Sequence, residues 1–114
     1  MPAKFVRLES IEALDAIFER SYRQPVAIFK HSNSCGLSAD ILQQIEAING
    51  DVNIVVVQEN RNVSDAIEKK TGFRHQSPQA FVIKGGKIVY HASHYGIDAE
   101  QLSVVSGQLS VEED

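Results

Sequence analysis

Val26-Ala27-Ile28-Phe29-Lys30-His31-Ser32-Asn33-Ser34-Cys35-Gly36-Leu37-Ser38 is the stretch from which the fold is read. Its apolar start, Val26 to Phe29, is long enough for a buried strand. His31-Ser32-Asn33-Ser34 is a polar loop. From Gly36 to Ile48, Leu37, Ile41, Leu42, Ile45 and Ile48 form one helical stripe, which Asn49-Gly50-Asp51 stops. The stretch is therefore strand, loop and helix, with Cys35 at the joint.

On the N-terminal side, Ile11, Leu14, Ile17 and Phe18 predict a helix from about Glu9 to Tyr22, with Ser10 at its start and Gln24-Pro25 at its end. On the C-terminal side, Val52 to Gln58 holds Ile54-Val55-Val56-Val57, whose unbroken hydrophobicity suits a strand covered on both faces. Asn60 to Lys70 reads as a short helix ending at Thr71-Gly72. Gln76-Ser77-Pro78 is a break. Ala80 to Ile83 and Lys87 to Tyr90 are two strands joined by the hairpin turn Gly85-Gly86. Asp98 to Leu109 reads as a last helix, followed by the acidic tail Glu112-Glu113-Asp114. Strand–helix–strand units give parallel pairs, and the hairpin adds an antiparallel edge. The expected fold is one α/β domain over residues 1–114: a four-stranded mixed sheet flanked by helices.

The bulk numbers agree. A chain of 114 residues buries roughly two-thirds of its unfolded surface and needs no staple to fold. The eleven basic residues are spread along a chain of net charge −4, which speaks against a nucleic-acid partner. No apolar run approaches the ~20 residues that span a bilayer. Met1 to Phe5 lacks the apolar core of a secretory signal, so the expected location is the cytoplasm. One cysteine permits no internal disulfide and suits a reducing compartment.

On composition alone Cys35 is a small buried hydrophobe, and on position alone it is as readily a capping-loop residue without chemistry. A cysteine leading into a helix nevertheless meets unpaired N–H groups and about half a positive charge, which favour the nucleophilic thiolate. Gly36 leaves room for a substrate beside the sulfur. Ser34 precedes it in the loop. Ser38, one turn on, can point its hydroxyl at the sulfur, and it stands where a Cys-x-x-Cys protein keeps its resolving thiol. Serine cannot resolve a mixed disulfide, so such a protein must hand its adduct to a thiol from solution or from another protein. Ser77-Pro78 lies just before a strand, where proline is commonly only a strand starter. If that bond is cis, the backbone of Ser77 is free to pair with a peptide or thiol cofactor beside Cys35.

These segments resemble the thioredoxin superfamily and, more closely, the monothiol bacilliredoxin family. The resemblance is carried by Phe29 to Ser38, by Gln76-Ser77-Pro78-Gln79-Ala80-Phe81, and by Gly85-Gly86-Lys87-Ile88-Val89-Tyr90-His91-Ala92-Ser93-His94-Tyr95-Gly96-Ile97. The family usually has proline after the cysteine. Gly36 stands there instead, which bears on the thiol substrate and redox poise but not on the nucleophile. The resemblance implies a monothiol oxidoreductase that removes a low-molecular-weight thiol, bacillithiol, from S-thiolated client proteins, with no permanently bound cofactor. Cys35 is then the catalytic residue.

Other residues have weaker claims. His31, if protonated, favours the Cys35 thiolate. Arg74 and His75 lie shortly before Pro78 and can attract the carboxylates of bacillithiol. His75, His91 and His94 are not read as a metal site, because the 91–94 spacing crosses a strand end rather than one helical face. Two other readings stand beside the enzyme: an adaptor or redox sensor modified at Cys35 without turnover, and a dimer linked through Cys35. The oligomeric state is not readable from the residues.

Overall fold

The computed structural model describes residues 4–48 and 50–102. The elements are β1 (Lys4–Arg7), α1 (Ile11–Arg20), β2 (Val26–His31), α2 (Gly36–Glu46), β3 (Asp51–Val56), α3 (Arg61–Thr71), β4 (Gln79–Lys84), β5 (Lys87–Ser93), a 3₁₀ turn at His94–Gly96, and α4 (Ala99–Leu102). The α/β class is as expected. The sheet, however, has five strands rather than four, in the order β1-β3-β2-β4-β5.

The added strand is β1, which pairs in parallel with β3 from Lys4↔Asp51 to Arg7↔Ile54. Its four residues are mostly exposed, so it carries almost no burial pattern. An edge strand is held by its backbone ladder, and here also by the Arg7–Glu59 ion pair at 2.6 Å. Inside it, β2 pairs in parallel with β3, and β4 runs antiparallel to both β2 and β5.

The helices cover both faces. On one, Ile41 and Ile45 of α2 and Leu102 of α4 pack on Ala27, Phe29, Val52, Ile54, Ala80 and Val82. On the other, Leu14 and Ile17 of α1 and Val63 and Ile67 of α3 pack on Val26, Ile28, Val55, Phe81 and Ile83. Successive residues of β2 thus feed opposite cores, as the pleat requires. The Ser10 hydroxyl caps α1 by accepting from the Ala13 N–H at 3.0 Å. Gly85 and Gly86 both have positive φ, 61° and 76°, the geometry a tight two-residue hairpin demands. Their N–H groups donate to the Ser21 carbonyl and hydroxyl at 2.7 and 2.9 Å, tying the turn to the end of α1.

The last helix begins as expected. Its proposed continuation to Leu109, the acidic tail and the Asn49 stop signal lie outside the described residues. Among the described residues, no helix is long and apolar enough to cross a membrane.

Candidate active site

Cys35 is the N-cap residue of α2, with extended backbone (φ −117°, ψ 118°), and it is half-buried. Its carbonyl accepts the first helical hydrogen bond, from Ala39 N–H at 3.1 Å. Its thiol makes no capping bond to the helix. The sulfur therefore belongs to the helix end whose free N–H groups favour a negative charge. Gly36 is exposed, and a Cβ placed on it would meet nothing within 4 Å. The space beside Cys35 is open because the helix begins with a residue that has no side chain.

The loop before Cys35 is built from hydroxyls and one amide. Gln58, just past β3, donates through Nε2 to the Ser32 hydroxyl at 2.7 Å and to the Ser34 hydroxyl at 3.1 Å. Its Oε1 accepts from the Asn33 N–H at 3.1 Å. Gln58 went unnoticed in the sequence, although the parallel pairing of β2 and β3 carries the signal. That ladder sets His31 against Val56, so the residue two beyond Val56 falls beside Asn33.

Ser38 is fully buried, and its hydroxyl is committed to His31 and Ser32. It lies 2.7 Å from His31 Nδ1 and accepts from the Ser32 N–H at 3.1 Å. Burial first, and then the charge of Arg7, lower the pKa of His31 below 6.5. The neutral ring is thus favoured, and His31 is not set up as a cation beside Cys35 at neutral pH.

The Ser77–Pro78 bond is cis. Pro78 is buried and Ser77 half-buried. Gln79 pairs with Lys30 in the antiparallel β2–β4 ladder, so Pro78 lies at the end of β2 from which the Cys35 loop departs. The sheet thereby gathers Ser34, Cys35, Gly36, Ser77 and Pro78 at one end. Pro78 is fixed from the other side by the His94 N–H, which donates to its carbonyl at 2.9 Å.

Arg74 is exposed. His75 is drawn toward α3, its Nδ1 lying 3.3 Å from the Ser64 hydroxyl. Burial and then the Lys30 charge lower its pKa, against the opposing pull of Glu68 and Asp65. Lys30 itself, another residue the sequence did not flag, is fully buried on the α3 face and donates to the Ser64 carbonyl at 3.3 Å.

Residues 6–102 match the family model described as monothiol bacilliredoxin BrxC. A solved thioredoxin-fold structure, described as a candidate oxidoreductase, is 31% identical; the match covers 90% of this chain and 93% of that one, with a TM-score of 0.79. Two thioredoxins share the fold at 16% identity. That of Fasciola hepatica has a TM-score of 0.69 over 89% of this chain and 96% of its own. That of Trypanosoma brucei brucei has a TM-score of 0.66 over 97% and 93%.

Proposed function

The chain belongs to the monothiol bacilliredoxin family, and we propose that it is a thiol–disulfide oxidoreductase that frees client proteins of a low-molecular-weight thiol, bacillithiol, through Cys35. The observation that carries this reading is the placement of the only sulfur nucleophile at the start of α2, half-exposed beside an open Gly36.

The chemistry runs in two exchanges. The Cys35 thiolate attacks the small-thiol sulfur of the client's mixed disulfide. The bond between that sulfur and the client sulfur breaks, and the client leaves as a thiolate that takes a proton from water. Cys35 now holds the small thiol in a new disulfide. A second small-thiol thiolate attacks the adduct, forming the symmetrical small-thiol disulfide and returning the Cys35 thiolate. Overall one free small thiol is consumed: its sulfur is oxidised into the symmetrical disulfide as the client sulfur is reduced to a thiol. Leaving-group acidity and access to each sulfur set the rate. Ser38 cannot intercept the adduct, because it is a hydroxyl and is engaged with His31 and Ser32. In this reading Arg74, which is exposed and precedes Pro78 by four residues, supplies the cation for a carboxylate-bearing thiol.

The test uses a client protein carrying a bacillithiol mixed disulfide. The wild type is expected to release free client thiol and to gain the mass of one small thiol on Cys35, and Cys35→Ser to do neither. Equal release by both proteins would refute the mechanism.

A further inference from the structure

Resting on the placement of Ser77–Pro78 at the active site, we propose that Gln79 is the positioning residue for segment 74–78 and that it acts through a single tautomer of His91. Gln79 is 1% exposed and opens β4, with its backbone paired to Lys30 on one side and Ser93 on the other. Its side chain has three partners. Nε2 lies 3.0 Å from the Arg74 carbonyl and 3.0 Å from His91 Nε2, and Oε1 accepts from the Gln76 N–H at 3.3 Å.

Those partners leave one orientation for the amide. Exchanging its oxygen and nitrogen would set oxygen against the Arg74 carbonyl and N–H against the Gln76 N–H. With the orientation fixed, one amide hydrogen goes to Arg74 and the other to His91. His91 Nε2 must then present a lone pair, so the ring is neutral and its proton sits on Nδ1. The ring is held as well, stacked on Phe73 at 3.9 Å and 16° and packed against Phe81 at 5.1 Å. Burial also pushes His91 below 6.5, toward the state the amide requires.

Segment 73–76 is therefore gripped at three of its four residues. Phe73 is stacked on His91, the Arg74 carbonyl is held by the amide nitrogen, and the Gln76 N–H is held by the amide oxygen. The next two residues are Ser77 and Pro78. Gln79 and His91 touch neither the sulfur nor its loop in any of these bonds, so their effect on chemistry passes through the backbone that receives the client.

The experiment combines nitrogen-15 NMR of the histidine rings with kinetics of Gln79→Leu. In the wild type at pH 7.5, His91 is expected to show an unprotonated Nε2 and a protonated Nδ1, with the Gln76 amide protected from hydrogen exchange. In Gln79→Leu the ring becomes a tautomer mixture and Gln76 exchanges faster. Release of thiol from the client mixed disulfide falls about tenfold through misplacement of the receiving segment. Alkylation of Cys35 by iodoacetamide, which needs no such segment, keeps its rate. A wild-type His91 protonated on Nε2, or client release by Gln79→Leu at the wild-type rate, overturns the proposal. The wild-type tautomer decides it even if the variant does not fold. Failure of the wild type to release any client thiol would instead refute the enzymatic reading, leaving the ring and exchange results intact.

Discussion

Ser38 shows how much of a site a single hydroxyl can organise. Its oxygen accepts the N–H of Ser32, a buried residue, and also bonds with His31 Nδ1 at 2.7 Å. Ser38→Ala is therefore expected to cost about 1–3 kcal/mol, because a buried donor and a ring nitrogen lose their partner together. Urea unfolding at pH 7.5 measures this, and an unchanged midpoint would contradict the role. The Cys-x-x-Ser spacing was legible in the sequence. The direction of the hydroxyl was not, because positions 31 and 38 are seven residues apart and meet only after the loop folds back over the helix start. Gln58 was hidden for a related reason. Its partners, Ser32, Asn33 and Ser34, lie more than twenty residues away, joined to it by the β2–β3 pairing.

At the scale of elements, what could be read was whatever buries apolar side chains. The stripes of α1 and α2 and the runs in β2, β3 and β4 were legible because burial writes a period into the sequence. β1 left no such mark, since an edge strand of mostly exposed residues is specified by its ladder with β3. β2 was legible only as far as its apolar run, which stops at Phe29, whereas the strand continues through Lys30 to His31. Lys30 continues the face of Val26 and Ile28, so the pleat drives its ammonium into the core beneath α3. Burial lowers its pKa from 10.5 to about 8, opposed by Glu68 and Asp65. At neutral pH the folded protein thus carries a buried charge at a cost. That cost is present in full below pH 8 and fades as pH rises toward 10.5, where the unfolded chain also loses its proton. Lys30→Met should be more stable than the wild type at pH 7. Its advantage should shrink by on the order of 3 kcal/mol between pH 7 and pH 10.5. Urea midpoints of the two proteins across that range test this. A difference that stays constant would mean that the lysine holds its proton as tightly folded as unfolded, and that burial does not lower its pKa.

At the scale of the whole molecule, the two cores are mainly apolar, Lys30 apart, and the polar side chains of the candidate site collect where the strands end. His31 closes β2, His75 precedes Pro78, and His91 packs between Phe73 and Phe81 beside Gln79. Each has its pKa lowered below 6.5, with burial the first cause in all three. The unfolded chain therefore takes up protons on these rings at a higher pH than the folded protein does. Wherever the unfolded state binds more protons, stability falls as pH falls. The loss should begin near pH 6.5 and continue toward the lower folded values, before the bulk of the carboxylates titrate. The same end of the sheet holds Cys35, so this acid weakness falls on the candidate site and not on the remote hairpin turn. A urea midpoint clearly lower at pH 5.5 than at pH 7.5 is expected. His91→Phe, which keeps an aromatic ring against Phe73 and Phe81 but has no ring nitrogen to protonate, should lose less over the same interval. An equal or higher midpoint at pH 5.5 in the wild type would mean that these rings accept protons as easily folded as unfolded, and that the packing around them does not exclude charge.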